Sequence, residues 1–515
     1  MIALIFTIFS ILVALYFAYY FAAANNAQYW KRRGIPGPQS KNKFLHFTED
    51  LLNPSYNSCY LLRDWTKKYG PVYGIMEGWR KVLVIADYKL ANEVLVKKFE
   101  NFHARKLGAL SPDSDKQKGL HVFNANGSRW KRLRTIITPC FSVNSLKLMF
   151  NTVNDSCKVM LSLMDKEFEA DRAFNIHTHF HELTMDVISR IAMGQKGTKQ
   201  FNNPNVEVAK AIFQRKGIQW LDDLAHMFPY FGSFFFKCLI ILAKLTYFPV
   251  KQMLDDITAA VKERKKERAK GINSNNENEL VDFIDLFIDA EAENIKDDAY
   301  NKSNVKVEKK MTTEEIVEQC FLFLLAGFDT TANTLAISTW LLAKHPDVQQ
   351  QLIDEIDDIC TTDEITYEQI NELRLCDAVM KEALRLYPIA TFVVGRQCVE
   401  PTKLGDVQLE RGVYVMCDIL TMHYDKKIWG ENADEFYPER FYDFTVEQQM
   451  AYYPFGGGPR VCVGMRLAYM EQKMALARIL KKYKFVACPE TEDKLKLTGC
   501  FVLNPDSVTV KLEKR

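Results

Sequence analysis

One stretch constrains the fold of this chain more than any other: residues 312–345 read as a single unbroken helix. Thr312 followed by Glu315 has the pattern of a capping box, in which each side chain satisfies the other's backbone N–H. His345-Pro346 supplies the stop. Such a helix is roughly 50 Å long at about 1.5 Å per residue, enough to cross a whole domain. Its centre, FLFLLAGFDTTANTLA, is apolar on nearly every side and so must be surrounded by other elements. Asp329 and Thr330 are out of place there. Burying a carboxylate costs several kcal/mol unless it is paired or solvated. Thr330 can bond the carbonyl one turn back and open the helix beside Gly327. Either the pair faces solvent, or it holds water and a proton donor against a reaction site.

The rest of the chain supplies the surround. Residues 69–96, YGPVYGIMEGWRKVLVIADYKLANEVLV, hold two β-rich runs around Gly78 and then a helical pattern, a small hairpin-containing sheet. Most of the chain after residue 96 has a helical period, so the expected class is mainly α with small β-sheets. Residues 270–279, KGINSNNENE, are polar and read as a loop. Residues 228–250 are strongly apolar, but Pro229, Gly232, Lys237 and Lys244 interrupt them and argue against a membrane span. They make either a core helix or an apolar surface that dips into a membrane.

Ile2 to Ala24 carries no charged residue and is long enough to cross a hydrocarbon core of about 30 Å. Tyr29 and Trp30 suit a membrane interface, and Lys31, Arg32 and Arg33 come next. Positive charge on the carboxyl side favours keeping that side in the cytoplasm. The run is too long for a typical cleaved signal peptide, so residues 1–28 read as an uncleaved anchor. RRGIPGPQS makes residues 29–40 a hinge, because Pro36 and Pro38 cannot continue a helix. The body is then 41–515.

Sixty-seven basic residues against sixty-five acidic leave no global field that would draw the chain onto nucleic acid. The twelve cysteines stand singly, without a C-x-x-C pair, so zinc ribbons and thioredoxin-type motifs are unsupported. A chain of 515 residues buries enough core without disulfides. Cys462 is set apart by its context, FGGGPRVCVG. It could be half a disulfide, a nucleophile, a metal ligand or an ordinary buried thiol.

Three other stretches give it context. KEALRLYP (381–388) puts Glu382 and Arg385 three apart on one helix face. FYPERF (436–441) contains Arg440, and WKRLR (130–134) puts Trp130 and Arg134 on one face. The order AGFDTT, ExxR, PERF and F-x-x-G-x-R-x-C-x-G resembles that of cytochrome P450 haem-thiolate monooxygenases. The resemblance runs from Tyr29 to the carboxyl terminus. The anchor and hinge look like those of microsomal members, and the motifs look most like the clan that oxidises drugs and steroids.

That resemblance implies a helical triangular prism around a buried haem b, with Cys462 as the axial thiolate. Such a ligand donates electrons to iron and favours O–O cleavage. Glycines let the backbone approach the ring, and the helix after the cysteine stabilises the anion. Phe455 would shield the sulfur. Arg105, Trp130, Arg134, Arg396 and Arg460 would hold the propionates. Glu382, Arg385 and Arg440 would form a buried structural network. Asp329 and Thr330 would relay protons to bound dioxygen. The substrate pocket would be lined by Phe321, Leu325, Ala326 and Phe328, by Thr391, Phe392 and Val393, and by Phe501, under a cap formed by 107–123. Its apolar bias implies a lipophilic small molecule.

The chain has no G-x-G-x-x-G after a strand, so electrons must come from a separate protein. In similar enzymes this is NADPH-cytochrome P450 reductase of the endoplasmic reticulum, in some with cytochrome b5. Lys131, Arg132, Arg466 and Lys473 could form a basic patch for such a partner. The resemblance thus implies a single-pass protein of the endoplasmic reticulum membrane with a cytosolic catalytic body. A haem-thiolate isomerase or synthase that needs no reductase, and a non-catalytic haem sensor, are the competing readings.

Overall fold

The computed structural model describes residues 2–40, 42, 44–111, 114, 117–213, 219–245, 249–270, 282–289 and 310–515. Of the polar segment 270–279, all but Lys270 lies outside the described residues. The described fold is mainly helical, with small sheets.

The long helix, Thr313–Lys344, is continuous and runs through the main core; with the other labelled helices, α1 Ile2–Ala27, α2 Gly127–Ile137, α3 Val143–Glu169, α4 Ile176–Met193, α6 Arg374–Leu386 and α7 Met465–Leu480, it is α5. Thr312 caps α5 reciprocally with Glu315, and His345 ends it. Thr330 Oγ1 does donate to Ala326 O at 2.7 Å. The helix nevertheless stays α-helical across this bond, so the expected opening beside Gly327 is not made. One hydroxyl bond to a carbonyl that keeps its backbone partner does not break the ladder.

The largest sheet has strands β1 Val72–Glu77, β2 Arg80–Ile85, β3 Ala104–Arg105, β4 Arg396–Gln397 and β5 Tyr414–Cys417, in the order β1-β2-β5-β4-β3. The expected hairpin is β1–β2, antiparallel, turning at Gly78. At the far edge Arg105 pairs directly with Arg396.

Two expectations about the amino-terminal region change. Tyr29 and Trp30 are buried in the body rather than presented to a membrane, and Trp30 Nε1 donates to Ile75 O at 3.0 Å. Residues 29–40 are also strapped to the sheet, because Gly74 N donates to Pro36 O at 2.8 Å. A Cβ on Gly37 would lie 2.0 Å from Gly74 O, so the close approach requires glycine there. Within 228–250, Gly232–Leu245 forms a helix whose Phe234 and Ile241 are exposed. Before it Tyr230 is 96% exposed. The core-helix reading is thus excluded for these described residues.

Candidate functional site

The cysteine loop is held from both sides. Cys462 N donates to Phe455 O at 2.9 Å, closing the loop, and Phe455 packs on Tyr469 of α7 with ring centroids 5.2 Å apart. Gly458 has φ +65°, and a Cβ there would stand 1.8 Å from Leu95 O. Only glycine tolerates both conditions. The helix after the cysteine begins at Met465, three residues on. Burial pushes the Cys462 thiol up, while the N–H groups of Gly464 and Met465, Arg134 and Arg105 pull it down. Cys462 also keeps accessible surface. A group that is both desolvated and accessible opens onto an interior space, not onto the outer surface.

Arginines gather around this space. Arg460 donates through Nε to His103 O at 2.6 Å and through Nη2 to Ala125 O at 2.6 Å. Its guanidinium lies over the Trp130 ring at 4.6 Å. Arg105 donates to Val393 O at 2.6 Å and Arg396 to Val394 O at 2.6 Å. The Nε of both is buried without a partner among the described residues. Burial, then repulsion from Arg396, holds Arg105 well below the usual arginine range. Burial, then Arg105, Arg396 and Arg134, does the same to Arg460. Burial lowers Arg396 to about 10. Among the described residues no carboxylate contributes to any of these shifts. Like charges placed opposite each other across β3 and β4 are unfavourable, so the cluster calls for an anionic group.

Behind the loop stands the expected charge network. Arg385 grips Glu382 at both oxygens, at 2.7 and 2.8 Å, and Arg440 Nε adds a bond at 2.9 Å. Arg385 also donates to His423 O and Ala433 O, both at 2.7 Å. Every charge is satisfied, which is the condition for tolerating this burial.

In the middle of α5, Glu318, Phe321, Leu322, Leu325, Ala326, Gly327 and Thr330 keep accessible surface, while the residues between them are buried. Leu322 was missed from the sequence, although its place one turn before Ala326 signals it. Phe321 and Leu325 pack on the same core cluster as Phe455, Val463 and Phe501. Phe328 is corrected: it is fully buried against His181, with ring centroids 4.9 Å apart. It lies two residues from Ala326, far around the helix. Thr391 and Phe392 are buried, and Phe392 packs edge-on against Phe501 at 5.2 Å, while Val393 keeps partial exposure.

Asp329 is also off this stripe. It is buried, with Oδ1 3.0 Å from His181 Nε2 and 3.3 Å from Asn504 Nδ2. Its Oδ2 has no partner among the described residues. The expectation that the acid faces the reaction site through water is therefore not met. A carboxylate in a core takes the partner within reach, and His181, 148 residues away, had no signal in the sequence. Of the basic patch, Arg132 is buried on Glu315 and Lys473 is buried near Asp377 at 3.4 Å. Arg466 is exposed and Lys131 partly so.

The residues fit the haem implied by the resemblance. A desolvated thiol carries N–H groups from its own loop, and the arginine cluster has no carboxylate partner among the described residues. A haem would supply a metal for the sulfur and two carboxylates for the arginines.

Comparison with known proteins agrees. A family model described as cytochrome P450 matches residues 51–512. The Caenorhabditis elegans protein named cytochrome P450 cyp-13B1 is 40% identical over 493 residues, covering 95% of each chain. The one named CYP13A3, from the same organism, is 41% identical over 501 residues, again 95% of each.

Proposed function

The chain belongs to the cytochrome P450 family, and from that premise we propose that it is a membrane-anchored monooxygenase of the endoplasmic reticulum. It inserts one atom of O2 into a lipophilic small molecule, with electrons from NADPH-cytochrome P450 reductase. The observation that carries this reading is the set of anion-deficient arginines around the desolvated Cys462. Haem bound through a thiolate supplies the oxygen chemistry.

The chain's own residues do the rest. Cys462 is the ligand, and the Gly464 and Met465 N–H groups hold its negative charge. Arg105, Arg134, Arg396 and Arg460 hold the propionates, with Trp130 backing Arg460. Phe321, Leu325, Ala326, Val393 and Phe501 line an apolar pocket. Thr330 presents its hydroxyl on the accessible face of α5, while Asp329 stands behind it, buried on His181 and Asn504.

Residues 1–28 anchor the protein. Leu4–Ala27 includes an 18-residue stretch of mean hydropathy 2.1 of which none is buried, a profile shared by membrane anchors and signal sequences. The exposed apolar face around Tyr230, Phe234 and Ile241 would lie on the same bilayer. If the body is cytosolic, its glycosylation sequons at Asn126 and Asn154 should carry no sugar; both side chains are engaged by arginines instead. Asn126 Oδ1 accepts from Arg460 at 3.2 Å, and Asn154 Oδ1 accepts from Arg478 at 2.7 Å. Arg466, exposed on the helix after the cysteine, would face an acidic reductase, and cytochrome b5 would use the same face.

The deciding experiment is a reduced carbon-monoxide difference spectrum, then NADPH consumption with reconstituted reductase across an apolar panel. A thiolate-type band with substrate-dependent consumption is expected. A band without any reductase-dependent turnover would overturn the monooxygenase reading in favour of an isomerase or a sensor.

A further inference from the structure

The accessible stripe on α5 does not end at Phe321. Glu318, Leu322, Leu325, Ala326 and Thr330 stand at i, i+4, i+7, i+8 and i+12 and all keep accessible surface, while Cys320, Leu324 and Phe328 between them are buried. That spacing is one helix face. Glu318 is the only ionisable side chain among these residues. It stands about 12 Å along the axis from Ala326, at about 1.5 Å per residue. Against it lies the loop expected to cap the pocket: a Cβ on Gly119 would be 3.2 Å from Glu318 Cγ. Gln319 pins that loop to α5 through Leu120 O and Val122 N, at 3.2 and 2.8 Å.

Among the described residues, the neighbouring charges are committed elsewhere. Glu315 takes Arg129 and Arg132. Lys118 acts on Glu314. Burial holds His121 largely neutral, near 4. Glu318 itself has no hydrogen bond or ion pair among the described residues, and no charged group offsets its desolvation, which raises it to about 7. A half-buried carboxyl without a cation is costly to the chain alone. It becomes favourable when something else brings the cation.

We propose that Glu318 is a recognition site for the positively charged end of an amphiphilic substrate, such as a lipophilic amine. This rests on the monooxygenase reading above. The apolar remainder lies along Leu322 and Leu325, and the carbon presented beside Ala326 and Thr330 is about 12 Å from the charge, by the helix rise. A neutral analogue leaves the carboxyl desolvated and unpaired, which is the stronger kind of discrimination.

The test uses the full-length holoprotein in bilayer discs, with equilibrium dialysis of octyltrimethylammonium against N,N-dimethyloctanamide. The quaternary cation neither titrates nor ligates iron. Wild type should bind the cation about 10-fold tighter than the amide at pH 8, a difference of about 1.4 kcal/mol. The preference should shrink toward pH 6 as Glu318 protonates. Glu318→Gln should abolish it, and Glu318→Asp should keep part of it. Each variant's carbon-monoxide band reports folding and haem loading. Equal cation affinity in wild type and Glu318→Gln overturns the proposal. So does a wild type with no cation preference at pH 8, which decides the matter even if the variant fails to fold. A wild type without a thiolate-type band would instead overturn the underlying reading.

Discussion

Asp329 and Thr330 are adjacent in sequence yet have opposite surroundings. Thr330 keeps accessible surface, whereas Asp329 is buried on His181 and Asn504. Successive helical residues are about 100° apart, so one neighbour can line a chamber while the other enters the core. On the proposed reading, the hydroxyl is then the proton-handling group nearest the substrate. Thr330→Ala should leave haem content unchanged and lower product formed per NADPH consumed several-fold. Unchanged coupling in a reconstituted assay would remove Thr330 from the mechanism. His423 gives a second residue-scale expectation. Its Nδ1 is 3.0 Å from Arg385 O, and its Nε2 accepts from Tyr453 N at 3.2 Å. Burial pushes it down to about 3 from 6.5. It is neutral when folded, so its contribution is complete above pH 6.5 and is lost as pH falls from 6.5 toward 3. His423→Gln should flatten the loss of stability between about pH 6 and 4 by up to about 1.4 kcal/mol per pH unit. Denaturant melts across that range measure the slope; an unchanged slope would show that His423 does not titrate with unfolding.

At the scale of elements, the cysteine loop depends on α6 although they share no motif. Arg385 ties α6 to the carbonyls of His423, Ala433 and Glu435, and Arg440 ties Glu382 to Trp429 O and Asn432 O. His423 then receives the backbone of Tyr453, at the start of the loop. The network thus fixes the platform on which the loop rests. Glu382→Ala would strand two buried guanidinium groups and should cost about 3–5 kcal/mol. The expected outcome is protein with little thiolate-type carbon-monoxide band at normal growth temperature, with partial recovery on cooler expression. Full haem loading and an unshifted melting temperature would show the network to be dispensable.

For the whole molecule, α1 stands clear of the body for most of its length but is joined to it near its end. Tyr19 OH donates to Met227 O at 2.7 Å, and Asn26 Nδ2 donates to Trp79 O at 3.2 Å. Met227 precedes the exposed apolar segment around Tyr230, so α1 and that segment present apolar surface from one region. If α1 anchors the chain as proposed, removing residues 2–28 should leave a protein that is no more than peripheral to the membrane. Alkaline carbonate should release the truncated chain from microsomes and leave the full chain in the pellet. Release of both would exclude an anchoring role for α1. Loss of membrane association by the truncated chain in neutral buffer would exclude the second apolar surface.

The amino-acid sequence alone determined what local chemistry can encode. The reciprocal cap of Thr312 and Glu315, the hairpin at Gly78 and the stop at His345 depend on residues within a few positions, so their patterns are readable. The cysteine loop is legible for the same reason, since its glycines, arginine and thiol are contiguous. Tertiary structure alone decided which face of a helix meets the chamber and which partner a buried charge finds. Phe328 went into the core, Asp329 took His181, and Arg132 and Lys473 paired away from solvent. Arg105, Arg396 and Arg460 met at one place because the sheet and the loop brought them there. Burial and charge compensation join residues hundreds of positions apart, and no short-range period carries that information.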